Sequence, residues 1–218
     1  MRIAFIFAHP DDESLSSGGT IAKYSAFNHD VSVICLTSTV ERKKEFLAAT
    51  TILGCKNAMI FDYTNVESNQ KELTQKLIDF IVHFQPSIIV THIANDYHID
   101  HRATFDIVTE AIEWAAHTTQ HENAFLVSKL FVTETTILLP NPHYLVDISN
   151  FYNLKEQAIN EYHSQLYKGG DKFYINFHNY RTRMRGCQAG TKHAEAFNEI
   201  VLKKNSPFYP RRHTDLYE

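Results

Sequence analysis

Short apolar runs alternate with amphipathic stretches along the first half of the chain. The runs are rich in β-branched and aromatic residues and predict buried strands at Ile3–Phe7, Val31–Leu36, Ala58–Asp62 and Ser87–Thr91. Between them, apolar residues recur at helical spacing and predict helices over Leu15–Phe27, Glu41–Leu53 and Leu73–Phe84. Strands that alternate with helices in this way indicate a parallel sheet with right-handed crossovers.

The second half of the chain carries weaker patterns. The predicted elements are a helix around Phe105–Ala115, a strand at Leu130–Thr136, a helix around Leu154–Tyr162 and a final helix over Thr191–Leu202. The stretch from Tyr167 to Gln188 holds a Gly-Gly pair, many aromatic residues and several Arg and Lys. We expect this stretch to be a long loop that covers the functional site.

Length and composition are those of one domain. The chain has 218 residues, 44% of them hydrophobic, and a net charge of -4, so it can bury a sizeable core and has no strongly basic surface for a nucleic acid. Cys35, Cys55 and Cys187 form no CxxC pair and no disulfide spacing, which favours a reducing compartment. The N-terminal apolar run is too short for a signal peptide, and no run approaches the length of a membrane span. We expect a cytoplasmic protein.

Two clusters of polar residues follow strands of the predicted sheet. The first, Ala8–Ser14, reads Ala-His-Pro-Asp-Asp-Glu-Ser and separates the first strand from its helix. The second, His92–Arg102, follows the fourth strand. Because the carboxyl ends of parallel strands meet at one edge, where such folds bind ligands, both clusters should lie together. Imidazoles and carboxylates can bind a divalent cation and leave one carboxylate free as a base, but a turn with helix-capping residues explains the first cluster equally well.

The pairing of Ala-His-Pro-Asp-Asp-Glu with His-Ile-Asp-His resembles the LmbE-like, or PIG-L, family of zinc-dependent N-deacetylases. Looser matches follow at Arg42-x-x-Glu45, Val146-Asp147-Ile148, His163-x-Gln165 and Ala194–Phe197. The resemblance implies a single α/β domain over residues 1–218, Rossmann-like, with a mostly parallel sheet flanked by helices on both faces. The family usually has a glycine after the threonine that ends the second strand. Here Ser38-Thr39 follow Thr37, which marks a place where the substrate pocket can differ.

The same resemblance implies a metal site. His9, Asp12 and His101 would hold Zn²⁺, and a site of two His and one Asp also accepts Fe²⁺ in the cell. Three protein ligands leave zinc an open position for water. The chemistry of the residues is therefore consistent with the ligand set that the family implies.

Four further residues have implied roles in catalysis and binding. Asp11 would be the general base, and His98 would stabilise the oxyanion or act as an acid. Asp100 would orient His98, and Arg42 would contact the substrate. Adjacent Asp11 and Asp12 can take different roles, because metal binding occupies one carboxylate and leaves the other free.

These residues predict a zinc-dependent hydrolase that removes the acetyl group from an N-acetylated amino sugar, such as an N-acetylglucosamine conjugate. An alternative enzyme is a zinc amidase that acts on a longer acyl chain or a thiol-conjugate amide. A non-enzyme alternative is an α/β metal- or ligand-binding module, including a phosphoacceptor domain that uses Mg²⁺. Three His near one loop argue against Mg²⁺, which prefers oxygen ligands. The expected partner is a small-molecule amino sugar, with a homo-oligomer left open.

Overall fold

The computed structural model describes residues 1–166 and 173–202, and the elements below belong to that part of the chain. Its strands are β1 (Arg2–Phe7), β2 (Asp30–Thr37), β3 (Asn57–Tyr63), β4 (Ile88–Thr91), β5 (Lys129–Thr133), β6 (Tyr144–Asp147) and β7 (Ala194–Ile200). Its α-helices are α1 (Asp12–Ala26), α2 (Val40–Ile52), α3 (Gln70–Phe84), α4 (Ile99–Ala115), α5 (Tyr152–Asn160) and α6 (Phe173–Ala189). A short 3-10 helix at Glu67–Asn69 precedes α3.

The strands form one sheet in the order β3-β2-β1-β4-β5-β7-β6. Pairing is parallel from β3 through β5, whereas β7 runs antiparallel to both β5 and β6. The predicted α/β fold with a mostly parallel sheet is therefore confirmed. The strand order turns back next to β1, so the loops that follow β1 and β4 leave the same edge of the sheet side by side.

Helices cover both faces of the sheet and enclose two apolar cores. On one face, α3 and α4 pack on β1 and β2, where Leu77 and Val108 join Ile6 and Ile34 in a buried cluster. On the other face, α1, α2 and α5 contribute apolar side chains to a second cluster, among them Ile21, Phe46 and Ala158. The continuous apolar runs of β1 and β2 follow from burial on both faces.

The prediction of a loop over Tyr167–Gln188 was wrong from residue 173 onward, where α6 forms; residues 167–172 lie outside the described part of the chain. The buried residues of α6 include His178, Arg181, Thr182 and Arg185, which recur at helical spacing. The inward face of this helix is thus polar, so an apolar periodicity gives no signal for it. Buried partners elsewhere in the fold satisfy its charges.

The prediction of a final helix at Thr191–Leu202 was also wrong, because β7 occupies this stretch. Its sequence, Ala-Glu-Ala-Phe-Asn-Glu-Ile, contains several good helix formers. β7 is nevertheless hydrogen-bonded on both sides, to β5 and to β6. Tertiary pairing therefore overrides the local helix preference.

No helix among the described residues combines the length and apolarity that crossing a bilayer requires.

Candidate metal centre

A cleft of about 430 Å³ opens at the carboxyl edge of β1 and β4. The predicted residues that line it are His9, Asp11, Asp12, Arg42, His98 and His101. Its remaining lining includes the apolar Leu15 and Ile159 and the aromatic side chains of Tyr97, Tyr162, Phe173 and Tyr174. The two polar clusters of the sequence thus meet in one cavity, as the parallel sheet requires.

The imidazoles of His9 and His101 converge on the carboxylate of Asp12. Nδ1 of His9 and Nε2 of His101 each lie 3.3 Å from Oδ2 of Asp12. The backbone N–H of His9 also donates to that oxygen, at 2.8 Å, which fixes the carboxylate. This is the set of two nitrogens and one oxygen that the resemblance implies as metal ligands.

Each of these imidazoles has a second carboxylate on its far nitrogen. Nε2 of His9 lies 3.1 Å from Oδ2 of Asp100. Nδ1 of His101 lies 3.2 Å from Oδ2 of Asp96, within ion-pair distance although not aligned for a hydrogen bond. Metal-binding His side chains typically place their other nitrogen against a carboxylate or carbonyl, which orients the ring. The surroundings of both rings therefore fit a metal site.

The electrostatics of the cluster also fit a cation. Burial by itself raises the pKa of Asp12, but the charge of the facing His101 holds that pKa well below its ordinary value. Burial lowers the pKa of His9, yet hydrogen bonds with Asp100 and Asp12 raise it to about 9 overall. Burial likewise opposes protonation of His101, and Asp12 raises its pKa to about 10. The buried carboxylates thus favour positive charge at the point where the two rings meet.

His92 also lies in this cluster, although the family resemblance assigns it no role. Its Nε2 is 3.4 Å from Oδ2 of Asp12, so Asp12, His92 and His101 also form a group of adjacent ligand atoms. However, the N–H of Ala8 donates to Nε2 at 3.0 Å, and Nδ1 lies 3.0 Å from Oγ1 of Thr135. Both ring nitrogens are occupied, and burial lowers the pKa of His92 to about 4. His92 therefore packs against Asp12 and His101. The centroid of its ring lies 3.8 Å from that of His101, and the two rings are stacked.

His98 is the N-cap of α4, and its Nδ1 accepts the N–H of Asp100 at 3.2 Å. Its ring lies 4.7 Å from the rings of both His9 and His101, which gives another group of three adjacent imidazoles. Burial and the neighbouring His charges lower the pKa of His98, so its neutral form is favoured. With Nδ1 accepting, the remaining proton is on Nε2, which can donate into the cleft.

The resemblance implied that Asp100 orients His98. In the structure, the carboxylate of Asp100 instead faces His9. Its Oδ2 faces His9, while its Oδ1 accepts the N–H groups of Val66 and Glu67 at 2.9 and 3.2 Å. The backbone N–H of Asp100 donates to Nδ1 of His98. The loop after β3 therefore positions this carboxylate, a contact between distant parts of the chain that spacing within the motif cannot reveal.

Asp11 occupies a left-handed backbone conformation, with φ of 115°. A non-glycine residue in such a region costs on the order of 1–3 kcal/mol and is typical of functional sites. The N–H of Asp11 donates to Oε2 of the fully buried Glu13 at 3.1 Å. Oε1 of Glu13 in turn accepts the hydroxyl of Tyr162 at 2.5 Å. Glu13 and Tyr162 thus hold the loop in this conformation, and Glu13 stands in the sequence motif itself.

The side chain of Asp11 is paired with Arg42. Nη2 of Arg42 lies 2.8 Å from Oδ1 of Asp11 and also donates to the carbonyl of Pro10. Burial raises the pKa of Asp11 to about 7, the charge of Asp12 adds to this, and Arg42 opposes it. A carboxylate with a pKa near neutrality can both accept and return a proton. Arg42 therefore lines the cleft but also holds the acidic loop.

Comparison with known proteins supports the resemblance. A relative from Bacillus anthracis named "Probable N-acetyl-alpha-D-glucosaminyl L-malate deacetylase 2" is 25% identical over 187 residues, covering 76% of this chain and 81% of that protein.

Two solved structures share the fold. The N,N'-diacetylchitobiose deacetylase from Pyrococcus horikoshii has a TM-score of 0.80 at 23% identity, over 99% of this chain and 88% of that one. The 4-carboxy-2-hydroxymuconate hydratase from Pseudomonas putida has a TM-score of 0.79 at 20% identity, over 96% of this chain and 100% of that one. The fold therefore carries more than one reaction. A model of the family described as "PIG-L: GlcNAc-PI de-N-acetylase" matches residues 4–112, which include both polar clusters, and the chain belongs to this family.

Proposed function

We propose that this protein is a zinc-dependent N-deacetylase that hydrolyses the acetamide of an N-acetylated amino sugar. The observation that carries the proposal is the convergence of His9 and His101 on Asp12, with a carboxylate at the far nitrogen of each ring. His9, Asp12 and His101 would hold the zinc ion. When bound, zinc supplies a Lewis acid that polarises an amide carbonyl and makes water more acidic.

Asp11 is proposed as the general base. Its side chain lines the cleft, and its Oδ1 is paired with Nη2 of Arg42. A carboxylate in the wall of the cleft can take a proton from the attacking water and return it to the leaving amine. In the metal-free protein, burial raises the pKa of Asp11 to about 7, which suits this role. The backbone N–H of Asp11 donates to Glu13, which fixes Asp11 within the loop that also carries the ligands His9 and Asp12.

His98 is proposed as the donor to the oxyanion. The neutral ring accepts a backbone N–H at Nδ1, so Nε2 carries the proton and would donate it to the developing charge. A fixed donor of this kind requires no reorganisation during the reaction. Asp100 is proposed as a residue that orients the ligand His9, and Arg42 as a contact to the substrate as well as to the base.

The test is a hydrolysis screen of the zinc-loaded protein against N-acetylglucosaminyl malate, N,N'-diacetylchitobiose and N-acetylglucosamine phosphates, with release of free amine as the readout. We expect near-stoichiometric zinc and turnover of at least one N-acetylglucosaminide. Asp12→Ala should remove most zinc, because it deletes one of three ligands, whereas the exposed Asp106→Ala on α4 should keep it.

The other outcomes reject the proposal in distinct ways. Hydrolysis of longer acyl amides or thiol-conjugate amides in place of acetamides would indicate the amidase alternative. Protein that binds only Mg²⁺, weakly, and hydrolyses no amide would indicate a binding module. Hydration of an unsaturated acid without amide hydrolysis would indicate the chemistry of the hydratase with the same fold.

A further inference from the structure

His178 is a buried imidazole in the wall of the cleft that the proposed mechanism does not use. It lies on α6, is 2% exposed and lines the same cavity as His9 and Asp12. Its Nδ1 is buried and has no hydrogen-bond partner among the described residues. Nearly all buried polar groups in native proteins are hydrogen-bonded, so one left unpaired at a ligand cavity points to the ligand as its partner.

The helix that carries His178 is fixed to both walls of the cleft. Arg181, one turn later, donates to the carbonyl of Leu15 at 2.7 Å and to the carbonyl of Thr135 at 2.9 Å. Leu15 and Thr135 themselves line the cavity. The hydrogen bonds of Arg181 therefore fix the position of His178 without any bond from the imidazole. This is the arrangement expected of a preorganised ligand-binding group.

The chemistry of the ring suits a neutral hydroxyl group. Burial lowers the pKa of His178 well below its ordinary value, and the nearby cations Arg181 and Lys155 lower it further. A neutral imidazole offers one donor and one acceptor, which is the complement of a sugar hydroxyl. The proposed catalytic groups come from the loops after β1 and β4, whereas His178 comes from α6. His178 therefore reaches the cavity from an element that supplies none of the proposed catalytic groups.

We propose that His178 is a specificity-determining residue that hydrogen-bonds a hydroxyl of the amino sugar. The proposal rests on the deacetylase function given above and adds the group that distinguishes a sugar from a simple N-acetyl amine. A site built to bond a hydroxyl discriminates against an analogue that lacks it, because the buried group of the protein then stays unpaired.

The test compares zinc-loaded wild type with His178→Phe and His178→Asn. The probes are methyl N-acetylglucosaminide and the set of analogues that each lack a single hydroxyl. In wild type, we expect one analogue to lose roughly tenfold in kcat/KM, mainly through KM. His178→Phe should show a similar loss on the parent sugar and no further loss on that analogue. His178→Asn, whose amide lies close to the position of Nδ1, should recover part of the preference.

Tyr180→Ala is the matched control, because Tyr180 lies on the same helix and is 69% exposed. It should leave the preference among the sugars unchanged. If His178→Phe fails to fold or to hold zinc, His178→Ala replaces it. The same comparison of kcat/KM on the parent sugar and on the analogue is then made with this smaller side chain.

If wild type hydrolyses the parent sugar and the His178 variants show the same kcat/KM ratios between parent sugar and analogues as wild type, this inference alone is overturned. A uniform loss of kcat on all analogues would also overturn it, because it would indicate a role in chemistry. A wild type that hydrolyses no N-acetylglucosaminide would instead overturn the proposed function.

Discussion

The carboxylate of Asp100 lies 3.1 Å from Nε2 of His9, and its other oxygen is held by the backbone of Val66 and Glu67. This contact links the two sequence motifs directly through their side chains. We predict that Asp100→Ala lowers zinc affinity by roughly 10- to 100-fold, as loss of such an orienting partner typically does. Zinc titration against a competing chelator measures this, with Asp106→Ala as the control. Unchanged affinity together with a loss of kcat would instead link Asp100 to His98.

Asp11→Asn should retain zinc and lose most of its turnover. The amide has a similar shape but cannot accept a proton, and loss of a general base typically costs roughly 10²–10⁴-fold. Metal analysis and kcat measured on one preparation separate the two effects. Near-normal turnover with full zinc would move the role of base to another residue.

Arg42→Ala should affect both substrate binding and the chemical step. Arg42 pairs with Oδ1 of Asp11 at 2.8 Å, so its removal disturbs the proposed base as well as a wall of the cleft. We expect KM to rise and kcat to fall together, in steady-state kinetics on the best sugar. The neighbouring Lys43→Ala is the control, because Lys43 pairs with Asp62. A change in KM alone would restrict Arg42 to substrate contact.

Zinc binding should release protons and strengthen as pH rises. In the metal-free protein, the pKa is raised to about 9 for His9 and about 10 for His101, so both rings are protonated at neutral pH. Ligand nitrogens must be deprotonated, so apparent affinity should rise by about tenfold per pH unit for each released proton, up to about pH 9. Calorimetry in buffers of different protonation enthalpy counts the protons. An affinity that is flat across neutral pH would contradict these raised values.

Lys155→Met should destabilise the fold strongly. Nζ of Lys155 lies 2.5 Å from Oε1 of Glu195, and both side chains are 1% exposed. Removal of one partner leaves a buried charge and typically costs about 3–5 kcal/mol in the free energy of unfolding. Lys129→Met breaks the more exposed pair with Glu199 and should cost less than about 1 kcal/mol. Denaturant unfolding compares the two, and equal losses would contradict the role of burial.

Local sequence was sufficient for the parallel half of the fold. The apolar runs of β1, β2 and β4 are buried on both faces, so their pattern depends little on which partners cover them. The two motifs likewise follow β1 and β4, and the parallel sheet alone brings His9, Asp12 and His101 into one cleft. The family and the α/β class predicted from these features are confirmed, whereas the single domain over residues 1–218 and the individual site roles stay predictions.

Tertiary structure alone decided the C-terminal elements and the supporting contacts of the site. β7 is a strand because β5 and β6 pair with both of its edges, and α6 is a helix whose buried face is polar. The partner of Asp100 and the unpaired Nδ1 of His178 depend on residues that are far apart in sequence. Local propensity and periodicity report only what a segment favours by itself. Buried polar contacts form between segments, so only the folded chain determines them.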